Sequence, residues 1–190
     1  EVKLGSKVES IGGSAFYNCT SLKSIELPNS LTTFGTSVFY GSGLESITIP
    51  ASVTTISNQL FRNAKSLKSV TMSDDVTSIG DQVFNSCVAL ESIKLPSSLT
   101  SLGANAFNGC SALKSVEVPE GVTKLNNYTF QNCTSLESVK LPEGLTSMGT
   151  YVFKGCSALK SVEIPEGVTS IGNYSFQNCS ALETVNLPTG

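Results

Sequence analysis

Six cysteines, fifteen acids and twelve bases are the side chains of this chain with chemistry to offer, and histidine is absent. Without an imidazole, neither a Ser-His nor a Cys-His nucleophile can be assembled. Thiol, lysine and paired-carboxylate chemistry remain. The thiols are Cys19, Cys87, Cys110, Cys133, Cys156 and Cys179. A zinc site is not indicated, because there is no His and no CxxC pair. Each Cys stands three residues after a Phe, and Ser42 and Ala64 hold the matching place where Cys is missing. A slot open to any small residue is a packing position, where free Cys acts as a small hydrophobe. Reduced, buried thiols are expected, although stacked neighbours would lie close enough to bridge.

The other chemical signals are weaker. Asp74, Asp75 and Asp81 suggest a cation site, but adjacent turn carboxylates are ordinarily solvated. Glycosylation-type triplets occur at Asn18, Asn127, Asn132, Asn173 and Asn178, and they recur because the repeat recurs. Leu187-Pro188-Thr189-Gly190 resembles a truncated sortase signal, yet the same Leu-Pro pair closes the repeats at Leu27, Leu95 and Leu141. No repeat column is expected to hold acids on neighbouring coils without lysine between them. The chain is therefore read as non-catalytic, with no cofactor and no metal.

The elements that position these residues follow from a rhythm. Phe16, Phe39, Phe61, Phe84, Phe107, Phe130, Phe153 and Phe176 recur every 23 residues, with one gap of 22. A period of this size marks a stacked solenoid whose units bury their apolar faces only against each other. Units begin at Leu22, Leu44, Leu67, Leu90, Leu113, Leu136, Leu159 and Leu182, with a partial unit before them. Residues 1–190 are read as a single array, a fragment or processed form of a longer protein. Uncapped ends would favour end-to-end self-association.

Within a unit, Ser24-Ile25-Glu26-Leu27 alternates polar and apolar, which predicts a short strand. Every proline follows this strand, so the ladder stops there and a turn begins. Pro119-Glu120-Gly121 and its equivalents fit a type I turn. A second extended piece follows, Leu31 to Phe34 in the first full unit. The column Gly12, Gly35, Gly80, Gly103, Gly149 and Gly172, with Ser57 and Asn126 as substitutes, is expected at positive φ. The segment ending in Phe and Cys predicts a helical or 3₁₀ turn. Asn, Gly or Ser two residues after each Phe predicts a left-handed residue that closes it.

Two surface patterns are candidate binding sites. Along the exposed strand positions charge alternates from coil to coil, as in Lys114, Glu137 and Lys160 in one column and Glu117, Lys140 and Glu163 in another. Such a face avoids like-charge ladders and also offers a polar platform. Tyr128, Tyr151 and Tyr174 fall two residues before their Phe on successive coils, which predicts an exposed, stacked strip. Residues 136–181 largely repeat 90–135, so part of this pattern was copied rather than individually selected.

Composition limits the partners. Net charge is −3 and no Lys/Arg tract forms a nucleic-acid footprint. No apolar run approaches the roughly 18 residues of a membrane span, so no membrane insertion is expected. The unit Leu159-Lys-Ser-Val162-Glu-Ile164-Pro165-Glu-Gly-Val168-Thr169-Ser-Ile171-Gly172-Asn-Tyr-Ser-Phe176-Gln-Asn-Cys179 closely resembles the BspA-like leucine-rich repeat. That resemblance covers essentially the whole chain. It implies a right-handed, curved leucine-rich solenoid of about eight coils, with one parallel strand per coil. It also implies a secreted or cell-surface, adhesion-like protein that recognises a protein or glycan of host or matrix. The alternative is a passive spacer that displays another domain.

Overall fold

In a computed structural model, which describes residues 2–187, the chain is a parallel β-solenoid of about eight coils. Pro188 and the Thr189-Gly190 part of the sortase-like signal lie outside the described residues. Two columns of short strands run along the array. The first holds Val2–Lys3, Ile25–Glu26, Ser46–Thr48, Ser69–Thr71, Ser115–Glu117, Ser138–Lys140, Ser161–Glu163 and Thr184–Asn186. Register is one whole repeat, as in Ser115↔Ser138, Val116↔Val139 and Glu117↔Lys140. In the coil between Thr71 and Ser115 the first strand shrinks to a single bridge, Ser92↔Ser115. The second column runs from Ser10–Ile11 to Ser170–Ile171. There Thr100 donates both its backbone N–H (2.9 Å) and its hydroxyl (3.2 Å) to the Thr77 carbonyl one coil earlier. The recurring Thr of the unit is thereby explained.

Side chains inside both columns feed one continuous core from Ile11 to Val168. The repeat Phe rings form its spine. Phe39, Phe61, Phe84, Phe107, Phe130 and Phe153 are fully buried, and neighbouring rings stack with centroids 5.2 to 5.8 Å apart.

The segment around each Phe is not a helical or 3₁₀ turn; among the described residues there is no helix. It is a run of tight turns broken twice by left-handed residues. In the first coil Ser14 has φ 57° and Asn18 has φ 55°. Bonds such as Tyr17 N–H to Ser14 O (3.0 Å) and Cys19 N–H to Phe16 O (3.2 Å) close the turns locally. The N–H groups of Ser14, Phe16 and Asn18 instead donate to Thr36 O, Val38 O and Tyr40 O of the next coil, at 2.9, 2.9 and 2.7 Å. Helix cannot persist when alternate amides point out of the coil.

The residues two places after each Phe are left-handed, as the sequence predicts. The glycine column before the Phe is not: of the described glycines, only Gly41, Gly109 and Gly155 have positive φ. Its glycines answer to space. A Cβ on Gly103 would collide with the backbone of Gly80 and Asp81, and one on Gly35 with that of Gly13. Where the column holds Asn126, its Nδ2 donates to Leu102 O at 2.7 Å. Ser57 likewise donates through Oγ to Phe34 O.

All six cysteines are free thiols. Cys87, Cys110, Cys133 and Cys156 each donate Sγ–H to the Phe carbonyl of the preceding coil at 3.1 Å. Burial raises their pKa, in Cys156 to about 12.

Two predictions follow from this packing. Gly103→Ala should lower unfolding free energy by about 1–3 kcal/mol, the range for overpacking. Gly144→Ala, whose Cβ would meet only Glu120 O at 3.6 Å, should be neutral or stabilising by up to about 1 kcal/mol; urea melts of the pair test this. The thiols set an alkaline limit. Below about pH 8.5 a thiol is protonated in both states, and above it the unfolded chain ionises while the buried native thiol does not. Urea midpoints should therefore fall from pH 8 to pH 10. Replacing Cys87, Cys110, Cys133 and Cys156 by Ala should flatten that fall.

Candidate functional site

Tyr128, Tyr151 and Tyr174 lie in the turn run, at the first left-handed position of their coils, with φ 61°, 60° and 59°. The same column holds Ser14, Ser37, Gln59, Gln82 and Asn105, all with positive φ. This second left-handed column is hidden in the sequence, because Gln and Tyr are not residues that announce it. The three rings stack at 5.1 Å between centroids, inclined by 6° and 15°. Stacking covers the inner ring faces, so the ladder presents ring edges and phenol hydroxyls outward. Tyr174 is 57% exposed, whereas Tyr128 and Tyr151 are half-buried. Lys154 Nζ lies 4.9 Å from the Tyr151 ring centroid, a cation–π contact on the same surface.

The charged candidates occupy the first-strand column, elsewhere on the coil. Lys114, Glu117, Glu137, Lys140, Lys160 and Glu163 are all exposed. Lys140 pairs with Glu117 at 2.6 Å and Lys114 with Glu91 at 3.6 Å. The hydrogen bond to Glu117, and then its charge, raise the Lys140 pKa. Among the described residues Glu137, Lys160 and Glu163 make no ion pair. No hydrogen bond or ring contact joins the tyrosines to these charges among the described residues. They are two separate surfaces.

The acids near Asp74 act on the backbone. Asp74 Oδ1 accepts from Ser97 N–H and Asp81 Oδ1 from Ala104 N–H, both at 2.8 Å. The Ser97 bond holds the Asp74 carboxyl below its ordinary range. Among the described residues no group of three or more His, Cys, Asp or Glu is placed to hold a metal. The expectation that acids never stack on neighbouring coils fails at the Pro-Glu-Gly turns. Glu120, Glu143 and Glu166 follow each other there, and Glu143 N–H donates to Glu120 Oε2 at 3.1 Å. In the sequence the Pro and Gly of those turns mask the carboxylate between them.

A third feature is a hollow at the one shortened coil, beside Tyr40, where Asn18, Asn63 and Lys65 converge. The missing residue between Phe39 and Leu44 is its signal in the sequence. Tyr17 and Tyr40 stack there at 4.5 Å, with the Arg62 guanidinium carbon 5.7 Å from the Tyr40 centroid.

Comparison with known proteins identifies the architecture. The family model for the BspA type leucine rich repeat region matches residues 1–114 and 101–190, in six copies. The chain belongs to that family. No curated protein matches the sequence. A leucine-rich repeat protein of T. pallidum superposes with a TM-score of 0.73 at 25% identity, covering 95% of this chain and 77% of that one. A leucine-rich cell surface protein of Faecalibacterium prausnitzii gives a TM-score of 0.51 at 23% identity, covering 99% and 78%. The pneumococcal vaccine antigen PcpA gives 0.53 at 21% identity, covering 96% and 60%. These last two share the fold.

Proposed function

We propose that this BspA-type array is a non-catalytic recognition module, secreted or held at a cell surface, that binds a protein or glycan partner through the Tyr128–Tyr151–Tyr174 ladder. The observation that carries this reading is backbone geometry. Bulky residues at positive φ are uncommon, whereas Asn accepts that region readily. A left-handed residue costs roughly 1–2 kcal/mol, and an aromatic pair returns about 0.5–1.5 kcal/mol. Three left-handed tyrosines share only two stacked pairs, so stacking does not exceed the strain and folding gives no reason to prefer Tyr here over the Ser, Gln and Asn of the earlier coils. What Tyr adds is a row of hydroxyls on rigid apolar rings, a surface suited to proteins and glycans alike. Lys154 adds a cation to the same patch. The cell-surface description of the F. prausnitzii neighbour supports placing this chain outside the cell.

Lys114, Glu117, Glu137, Lys140, Lys160 and Glu163 form a second, polar surface for such a partner. The charge-balanced regularity of that face also suits a passive spacer.

The test is a screen of the protein and a Y128N/Y151N/Y174N variant against extracellular-matrix proteins and glycans. Unfolding free energy should not fall by more than about 1 kcal/mol per site, because the stacking lost is no larger than the strain relieved. Affinity for the partner should drop at least about tenfold, or 1.4 kcal/mol. Undiminished binding by the variant would move the site to the strand charges. No binding by either protein would favour the spacer.

A further inference from the structure

Tyr17 and Tyr40 each follow their repeat Phe directly, on adjacent coils. The backbone on both sides of Tyr17 is bonded to the coil that carries Tyr40. Phe16 N–H donates to Val38 O at 2.9 Å, and Asn18 N–H donates to Tyr40 O at 2.7 Å. The two side chains therefore start from matched, fixed points. Their rings lie 4.5 Å apart between centroids and within 7° of parallel. Among the described residues no other aromatic pair is so close; the ladder tyrosines stand at 5.1 Å.

The hydroxyl ends lie together as well as the ring faces. Local desolvation, and then the Tyr40 phenol beside it, raise the Tyr17 pKa. Tyr40 is the anchored member of the pair. Asn63 Nδ2 donates to its hydroxyl at 2.7 Å, and the Arg62 guanidinium carbon stands 5.7 Å from its ring centroid. Tyr17 is the free member, 46% exposed. Tyr40 also borders the hollow of the shortened coil, where Gly43 alone links Ser42 to Leu44. Both phenols are thus open to a reagent from solvent, and rotation of the Tyr17 ring brings the carbons ortho to the two oxygens together.

We infer that Tyr17 and Tyr40 are a modification site, where a haem peroxidase and hydrogen peroxide join the two phenols by a carbon–carbon bond. Each phenol gives up one electron and one proton. The two phenoxyl radicals couple through their ortho carbons, and the hydrogens on those carbons move to the oxygens and restore both phenols. One hydrogen peroxide takes the two electrons and two protons and leaves as two waters. Holding the rings in contact makes this coupling intramolecular and favours it over coupling between molecules. The new bond spans one whole repeat and clasps two coils. It restricts the unfolded chain far more than the folded one, in which those coils already touch.

The ladder is the poorer substrate. Its rings are farther apart, and Lys154 Nζ lies 4.9 Å from the central Tyr151 ring. A cation over a ring opposes removal of an electron, and Arg62 stands farther from Tyr40 than Lys154 from Tyr151.

Treatment of the dilute protein with a haem peroxidase and hydrogen peroxide, followed by tryptic digestion and mass spectrometry, tests this. Cleavage after Lys7, Lys23 and Arg62 puts Tyr17 in residues 8–23 and Tyr40 in residues 24–62. These two peptides should appear joined, two hydrogens lighter than their sum and with dityrosine fluorescence. They should outnumber joined peptides 125–140 and 141–154, which carry Tyr128 and Tyr151. Tyr17→Phe keeps the ring stack and should lose the joined peptide, whereas Y128N/Y151N/Y174N should retain it. Treatment should raise the urea midpoint of the parent and leave that of Y17F unchanged. Absence of the joined 8–23 and 24–62 peptides, equal yield in concentrated urea, covalent dimers in place of the internal bond, or more ladder product than Tyr17–Tyr40 product would each overturn the proposal.

Discussion

The spacing between coils governs this molecule. Phe rings at 5.2 to 5.8 Å and backbone bonds of 2.7 to 3.1 Å on the turn side demand that successive coils lie almost in contact. Everything else adjusts to that distance. The glycine column exists because two backbones meet there with no room for a Cβ. The thiol column exists because a small side chain must fit between stacked Phe residues and still reach a carbonyl one coil back. Thr recurs because its hydroxyl and its amide both reach the same carbonyl across the gap. A coil is thus selected less for its own conformation than for the face it shows its neighbour.

The turn side carries a second consequence. In the run around each Phe, as at Ser14, Phe16 and Asn18, the inter-coil bonds point one way, with N–H toward the following coil and the accepting C=O toward the preceding one. In a strand ladder these directions alternate, and the peptide dipoles largely cancel. Here they add along the axis, as in a helix. Left-handed residues at two fixed places per coil produce this alignment, because they turn alternate amides outward. Those places must be filled by residues that tolerate positive φ. Asn, Gly and Ser meet the demand locally, and three tyrosines meet it through their mutual stacking.

The parts of the fold that repeat by residue type were legible in the sequence: the Phe spine, the strand register, the buried Cys slot and the left-handed Asn or Gly after each Phe. Parts that repeat by geometry alone were not. Ser14, Gln82, Asn105 and Tyr151 share one backbone conformation and no side-chain chemistry, so their column does not show as a left-handed one. Glycine gave the converse error. Positive φ and close backbone approach both select it, and the Asn126 substitute, a residue type that also suits positive φ, instead bonds the Leu102 carbonyl. The candidate site was legible as types and order. That Tyr128 and Lys140 lie on separate surfaces depends on how the coil closes, which no spacing rule contains.

A repeat satisfies its polar groups by copying a solution. Each thiol finds the Phe carbonyl one coil back because the previous coil presents it in the same place. Where the copy is faithful, little is left over for a ligand to gain. Polar groups left unpaired therefore collect where the period breaks. Among the described residues, the two buried side-chain atoms without a partner, Ser42 Oγ and Arg62 Nε, both lie beside the one coil that lost a residue. Regularity builds the scaffold, and it is the departures, Gly43 in one coil and tyrosine in three others, that give this array surfaces of its own.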